Sequence, residues 1–416
     1  MRLKWQADTG LYLFGASAAI IGGRPLVFLT GEYRDTVRAA VLALDGQGRE
    51  VWREEFPDEP DGFHISAQAT VLDLRGNGPD AVGYFIAHRE SRAQGELRIV
   101  EAATGRLIWS APSGSFYGGN RDLWSGDLDG DGEREVLAGF ADCLCCYRSR
   151  DGSLKWTYDD HIAICWGASA VADFDGDGRP EIALGGEYSN PDGTSPLVML
   201  RGDGQEVWRF DGIPGDTGST HTIAADVDGD GRLEILKSEI DLVGQTGLPR
   251  SRMWCLDATG KPRWTVPYGG SDIAVGDWDG DGRLEGVGPT CQRDGGKDVA
   301  PEIVCLDLSQ GEVKWALPLP RYWLAGWPVM RELDGDGALE GVVGVGNPSG
   351  YGRKPGEEPW GDVYLVRADG TIAWKTTLRD WSLCALPFDL DADGRIELLL
   401  TCGDGLVRLF SPGWSK

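Results

Sequence analysis

Long apolar runs are missing from this chain of 416 residues: nowhere do 18 apolar residues follow one another, so no transmembrane helix is expected. The opening MRLKWQADTG holds no apolar stretch of the kind a secretory leader needs. The expectation is a cytoplasmic protein as written, or a secreted or periplasmic one in which Met1 replaces a removed leader. Basic charge is scarce. Forty Lys and Arg face 66 Asp and Glu, a formal charge of −26, which argues against nucleic acid or an anionic membrane as partner. Nine cysteines, an odd number without disulfide spacing, favour a reducing compartment. A nucleophile elbow, a phosphate loop and a dinucleotide fingerprint are absent too, so those chemistries have no foothold.

What is present is repetition. The stretch DFDGDGRPE from Asp173 recurs as DLDGDGERE from Asp127, DVDGDGRLE from Asp226, DWDGDGRLE from Asp277 and DLDADGRIE from Asp389. Carboxylates at positions 1, 3 and 5, a Gly at 6 for the sharp turn and a Glu at 9 make up the oxygen set that a hard cation of Ca2+ size takes from a short loop. The flanks are short apolar runs, so the motif reads as a strand-turn-strand and not as the helix-flanked EF-hand, whose closing Glu stands at 12. A sixth copy, ELDGDGALE from Glu332, keeps an acid at position 1 and is expected to bind. A seventh, DLRGNGPDA from Asp73, puts Arg75 and Asn77 where acids belong and so lacks the full oxygen set, which leaves its occupancy open.

The expected ligands are therefore Asp127, Asp129, Asp131 and Glu135; Asp173, Asp175, Asp177 and Glu181; Asp226, Asp228, Asp230 and Glu234; Asp277, Asp279, Asp281 and Glu285; Glu332, Asp334, Asp336 and Glu340; Asp389, Asp391, Asp393 and Glu397. Six bound Ca2+ would bring the formal charge of −26 to about −14.

A second mark interleaves with the first. Seven times a turn Gly is followed four residues later by Trp, from Gly48/Trp52 to Gly370/Trp374, in segments such as LDATGKPRW that read as hairpins. Loops and Trp marks together define a unit of about 53 residues and four strands, the size of a propeller blade. Residues 14–33 align with 166–188 once the acidic loop is shortened to Ile21-Gly22-Gly23, which adds a first blade without a cation site. The last blade lacks an outer strand, and RLKWQ at residues 2–6 supplies it, since Trp5 precedes Trp52 by 47 residues. The expectation is an all-β chain forming a single eight-bladed β-propeller of four-stranded antiparallel blades. Its N-terminal strand completes the C-terminal blade and closes the ring. The blades fall at about 9–57, 58–114, 115–160, 161–214, 215–269, 270–320, 321–380 and 381–416 plus 1–8.

Antiparallel order puts the acidic turns and the Gly–Trp turns on one face. The other face receives the long, irregular loops, and these are where binding is expected. All four histidines fall there: His64, His161 and His221 at entries to innermost strands and His88 in a loop between second and third strands. Arg121, Asp122, Trp166, Asp272, Arg321, Tyr322, Trp323, Trp327, Arg379 and Trp381 accompany them. Aromatic faces for sugar rings and Arg for carboxylates suit an acidic glycan. Packing between blades is the competing role for Trp166 and Trp327. The cysteines are expected in the core. Cys143 and Cys146 form a CxxC that a strand would split between faces, and Cys146 aligns with Cys255, Cys305 and Met199 in a repeated apolar slot.

The acidic loops resemble the FG-GAP or integrin-alpha type of calcium-binding propeller repeat, over nearly the whole chain. Eight calcium-rich blades are also similar at fold level to the family 11 rhamnogalacturonan lyases, whose catalytic residues are not matched here position by position. The DATGKPRW type of turn resembles the repeats of quinoprotein dehydrogenases, which do not normally carry the acidic loop. The lyase resemblance implies a monomer that binds an acidic, uronate-containing polysaccharide and cleaves it by β-elimination. Arg121, Arg321 or Arg379 would neutralise the carboxylate, His221, His64 or His161 would take the C5 proton, and Tyr322 would protonate the leaving oxygen. His88, Asp122, Asp272, Trp166, Trp323, Trp327 and Trp381 would line the sugar. The alternative is a non-catalytic propeller that binds glycan or protein, with Ca2+ purely structural.

Overall fold

The computed structural model describes residues 1–33, 38–56, 63–65, 68–88, 95–113, 123–140, 143–159, 169–185, 196–211, 222–239, 252–268, 270, 272–290, 293–294, 297–298, 300–321, 324–347, 358–382 and 384–413. Regular structure among them is β-strand throughout, arranged as eight antiparallel blades in a ring. Blade 3 gives the pattern: Leu123–Gly126, Glu135–Gly139, Leu144–Arg148 and Leu154–Tyr158 pair in chain order. First strands of neighbouring blades touch one another, as Ser169–Ala172 of blade 4 and Thr222–Ala225 of blade 5 do, so the first strand is innermost and the fourth outermost. In blades 2 and 7 the innermost strand is split into two short pieces.

Second and third strands are nearly continuous runs of buried Val, Leu, Ile and Ala, because they are covered by a neighbouring blade on both faces. Outermost strands are mixtures of half-buried and exposed residues, as the rim of a sheet should be.

Residues Arg2–Asp8 pair with Leu406–Ser411 and form the outermost strand of the blade whose inner strands are Ala385–Phe388 and Glu397–Thr401. The ring thus closes between the two ends of the chain, as expected from the position of Trp5.

The Trp marks are the joints between blades. Trp156 of blade 3 packs on the turn glycine of blade 4: a Cβ built on Gly204 would come within 2.7 Å of the ring, and Trp156 Nε1 donates to Gly202 O at 3.0 Å. The same bond runs from Trp52 to Ala102, Trp109 to Ser149, Trp208 to Ala258 and Trp315 to Ala368, and from Trp5 to Gly46 across the closure. Every outermost strand also skips one residue of register just before its Trp. Cys146 faces Trp156 while Tyr147 faces Leu154, leaving Lys155 as a bulge. The corresponding bulge residues are Val51, Ile108, Val207, Arg263, Lys314 and Ala373 in blades 1, 2, 4, 5, 6 and 7, and Lys4 in blade 8.

Candidate metal centres and the loop face

Each acidic loop is held by its own carboxylates. Asp173 accepts the Gly176 N–H at 2.7 Å on one oxygen and the Gly178 N–H at 2.9 Å on the other, and Asp177 accepts the Arg179 N–H at 2.8 Å. Glycines with φ of 79° and 90° at positions 4 and 6 permit the turn. Glu181 Oε2 accepts the N–H of Phe174, whose side chain is buried in the core, at 2.9 Å. The closing Glu makes this bond at 2.8–3.0 Å in all six loops, to Leu128, Phe174, Val227, Trp278, Leu333 and Leu390.

Carboxylate oxygens converge within 4.8 Å in Asp127/Asp129/Glu135, Asp173/Asp175/Glu181, Asp226/Asp228/Asp230, Asp277/Asp279/Glu285 and Glu332/Asp334/Asp336. These hard oxygens, on glycine-bent turns, fit a Ca2+-class cation in chemistry and spacing.

What fills that point differs between blades. In blade 3 the bulged Lys155 reaches into the loop and donates to Asp129 at 2.7 Å and Glu135 Oε1 at 2.8 Å, with Asp131 at 3.5 Å. Partial burial alone would lower the ammonium, but the hydrogen bonds it donates to Asp129 and Glu135 hold it well above the usual lysine range. Lys314 does the same in blade 6, to Asp279 at 2.6 Å and Glu285 at 3.0 Å. In blade 5 Arg263 pairs with Asp228 and Glu234, and in blade 8 Lys4 pairs with Asp391 and, at 2.9 Å, with Glu397.

Blades 4 and 7 have Val207 and Ala373 at the bulge, and among the described residues no Lys or Arg reaches Glu181 or Glu340. Burial, then the nearby carboxylates of Asp334, Asp336 and Glu332, push Glu340 up to about 7, against a lowering contribution from the Leu333 N–H. Glu340 is 1% exposed, and its Oε1 has no hydrogen-bond partner. The residue before each Trp is the sequence signal for Lys4, Lys155, Arg263 and Lys314.

The degenerate loop of blade 2 is held by its own hydrogen bonds and an ion pair. Asp73 accepts the Gly76 N–H at 2.7 Å, Asp80 takes over the bond to Leu74 N at 2.9 Å, and Arg75 lies 3.4 Å from Asp80.

On the opposite face, part of the expected site is described. His161, His221, Tyr322, Arg121, Asp122, Trp166 and Trp323 lie outside the described residues. For His64 and His88 the backbone register is given: His64 lies opposite Ala87 and Phe63 opposite His88 in blade 2. The structure does bring Arg321 to blade 7. Its guanidinium sits 3.9 Å from the centroid of Trp360 and its Nε 3.5 Å from the buried Asp362, which also pairs with Lys375 at 3.1 Å. Burial alone would raise the Asp362 carboxyl, but Thr377, Lys375 and Arg321 together hold it below the usual range.

Trp381 is half-buried beside this group: its Cδ1 and the Trp360 carbonyl both close on Gly346, and its Nε1 has no partner. Arg379 is exposed two residues earlier. Asp272 is buried, with its carbonyl accepting the Tyr268 hydroxyl at 3.0 Å, and Trp327 packs against the core cluster that includes Leu11, Cys384 and Leu399.

Among the described residues, Cys145, Cys146, Cys255, Cys305, Cys384 and Cys402 are buried in the core and Cys143 is half-buried. Burial pushes the thiols of Cys255 and Cys305 up to about 12, and each pairs in register with the Trp of its blade. Cys143 Sγ and Cys145 Sγ lie 3.8 Å apart.

An FG-GAP-like repeat family model matches residues 173–236. No curated protein is found to match the chain. Among solved structures, BamB from Moraxella catarrhalis is similar over 100% of this chain and 98% of its own, at 13% identity and a TM-score of 0.57. Quinohemoprotein alcohol dehydrogenases from Comamonas testosteroni and Pseudomonas putida HK5 cover 100% of this chain with 77% and 76% of theirs, at 13% identity and TM-scores of 0.60. These likenesses concern the fold, and with the strand order they make the chain an eight-bladed β-propeller carrying an FG-GAP-like repeat.

Proposed function

We propose that this is a metal-stabilised propeller whose loop-bearing face binds an acidic, uronate-containing polysaccharide. The observation that carries the reading is the group on blade 7. Arg321 is 47% exposed while stacked on Trp360 and oriented by Asp362, so a planar donor for a carboxylate stands beside an aromatic surface. Trp381 adds a second indole next to it. The six acidic loops project from the opposite face, so their charge does not stand against an anionic ligand at this one.

The test is affinity electrophoresis or calorimetry with polygalacturonate and with a neutral glucan as control. Binding of the acidic polymer is expected, weakened about tenfold or more in Arg321→Ala. Equal retention of both polymers, or binding untouched by Arg321→Ala, would contradict the reading. Cleavage by β-elimination rests on the sequence, in His221, His64, His161 and Tyr322. Its measure is the ultraviolet absorbance of an unsaturated uronate product. Binding without that signal would leave the non-catalytic propeller.

A further inference from the structure

The acidic loops look alike in sequence, but the bulge beside each divides them. A bulge turns one side chain out of the alternation of its strand. In blades 3, 5, 6 and 8 the redirected residue is Lys155, Arg263, Lys314 or Lys4, and its cationic group bonds the closing Glu together with the acid at position 3. These are the oxygens that would coordinate a metal ion. An ammonium has three N–H donors, and in blade 3 it faces three carboxylates, so the loop is already neutralised in part and its centre taken.

Blade 7 shows the opposite condition. Its bulge residue is Ala373, too short to reach the loop. Glu332, Asp334 and Asp336 converge, and Glu340, buried beside them, keeps Oε1 unbonded, the same oxygen that Lys155 satisfies on Glu135. Arg367 approaches Asp334 at 3.3 Å from the following turn. A buried carboxylate oxygen without a partner is costly; Asp277 Oδ1 and Asp391 Oδ1 in blades 6 and 8 are such oxygens too, but there a bulged Lys bonds the closing Glu, which nothing does for Glu340 Oε1 among the described residues.

We propose that, of the six loops whose acids make up a Ca2+-type oxygen set, those of blades 3, 5, 6 and 8 exclude such ions because the bulged Lys or Arg already bonds their ligand oxygens, while the blade 7 loop of Glu332, Asp334, Asp336 and Glu340 is left open to one. Blade 4, with Val207 at its bulge, is the one other loop left open to metal by this rule. The inference does not depend on the glycan reading, which concerns the opposite face.

The test is metal stoichiometry, by elemental analysis of the full chain equilibrated with Ca2+ and desalted, and by native mass spectrometry. Wild type is expected to hold at least one and at most two ions. Ala373→Lys, which touches no ligand, removes one ion by supplying an internal cation. Glu340→Gln, which keeps an acceptor for the Leu333 N–H, and Asp334→Asn each remove one as well. Lys155→Ala and Lys314→Ala each add one. Circular dichroism melts confirm that each variant is folded, and the two lysine variants serve as independent checks should either fail to fold. Three or more ions in wild type, no ion at all, or a count unmoved by Ala373→Lys would overturn the proposal.

Discussion

The ring of Trp208 lies so close to Gly260 of the next blade that a Cβ on that glycine would fall 2.7 Å from it. Gly260 also has φ of 80°, where an L side chain is strained. Gly23 has the same φ with nothing within 4 Å. Gly23→Ala should therefore cost roughly 1–2 kcal/mol from the backbone alone. Gly260→Ala should cost about 1–3 kcal/mol more, because the joint between blades must open. Urea unfolding of the two variants against wild type gives the comparison, and equal losses would deny the ring contact its role.

The tryptophans differ in one bond. Trp208 Nε1 donates to Ala258 O at 2.9 Å, whereas Trp264 Nε1 is buried without a partner. Replacement by Phe removes a satisfied donor in the first case and an unsatisfied one in the second. Trp208→Phe is expected to be more destabilising than Trp264→Phe by about 1–2 kcal/mol, read from the same unfolding curves.

Ala392 occupies position 4 of the blade 8 loop, where the five other acidic loops have a left-handed Gly, and takes φ of 59°. Among the described residues it is the one non-glycine with positive φ. Ala392→Gly should stabilise the protein by about 1 kcal/mol, since relief of the left-handed strain exceeds the extra freedom of glycine in the unfolded chain. A lower melting temperature for the variant would show that the turn tolerates Ala.

Asp404 and Arg408 form a nearly buried pair in blade 8, with the guanidinium donating to Asp404 Oδ1 at 3.0 Å. Burial alone would raise the Asp404 carboxyl, but the Arg408 hydrogen bonds outweigh it and hold the group below the usual carboxylate range. A depressed folded pKa contributes stability that is present above the unfolded value of about 3.9 and is lost as pH falls through the folded one. The stability gap between wild type and Asp404→Asn should therefore narrow steadily below pH of about 4. A gap independent of pH would mean that the pair contributes packing alone.

How far the fold could be read in advance is seen in Trp5. Its spacing from Trp52 was enough to assign residues 2–6 to the last blade, because a propeller repeats one unit and an incomplete unit stands out. The acidic ligands were legible for the same reason. Lys155 and Arg263 were not, since the bulge that aims them at the loop exists only once the third and fourth strands are in register. Asp272 shows another limit: its place at the entry to an innermost strand suggested exposure, and only the packing around Tyr268 shows it buried. Trp360, beneath Arg321, comes from a strand 39 residues further along and had no local signal.

Closure of the ring also has a bearing on time. Arg2 pairs with Ser411 and Asp8 with Leu406, so the first of the described strands has its partner in the last of them. Seven blades are each built from one continuous segment, but the eighth joins strands from far apart in sequence. Contacts this distant in sequence form slowly. Until they do, the Leu406–Ser411 edge and the Arg2–Asp8 strand each offer an unpaired backbone ladder, open to pairing with another unfinished copy.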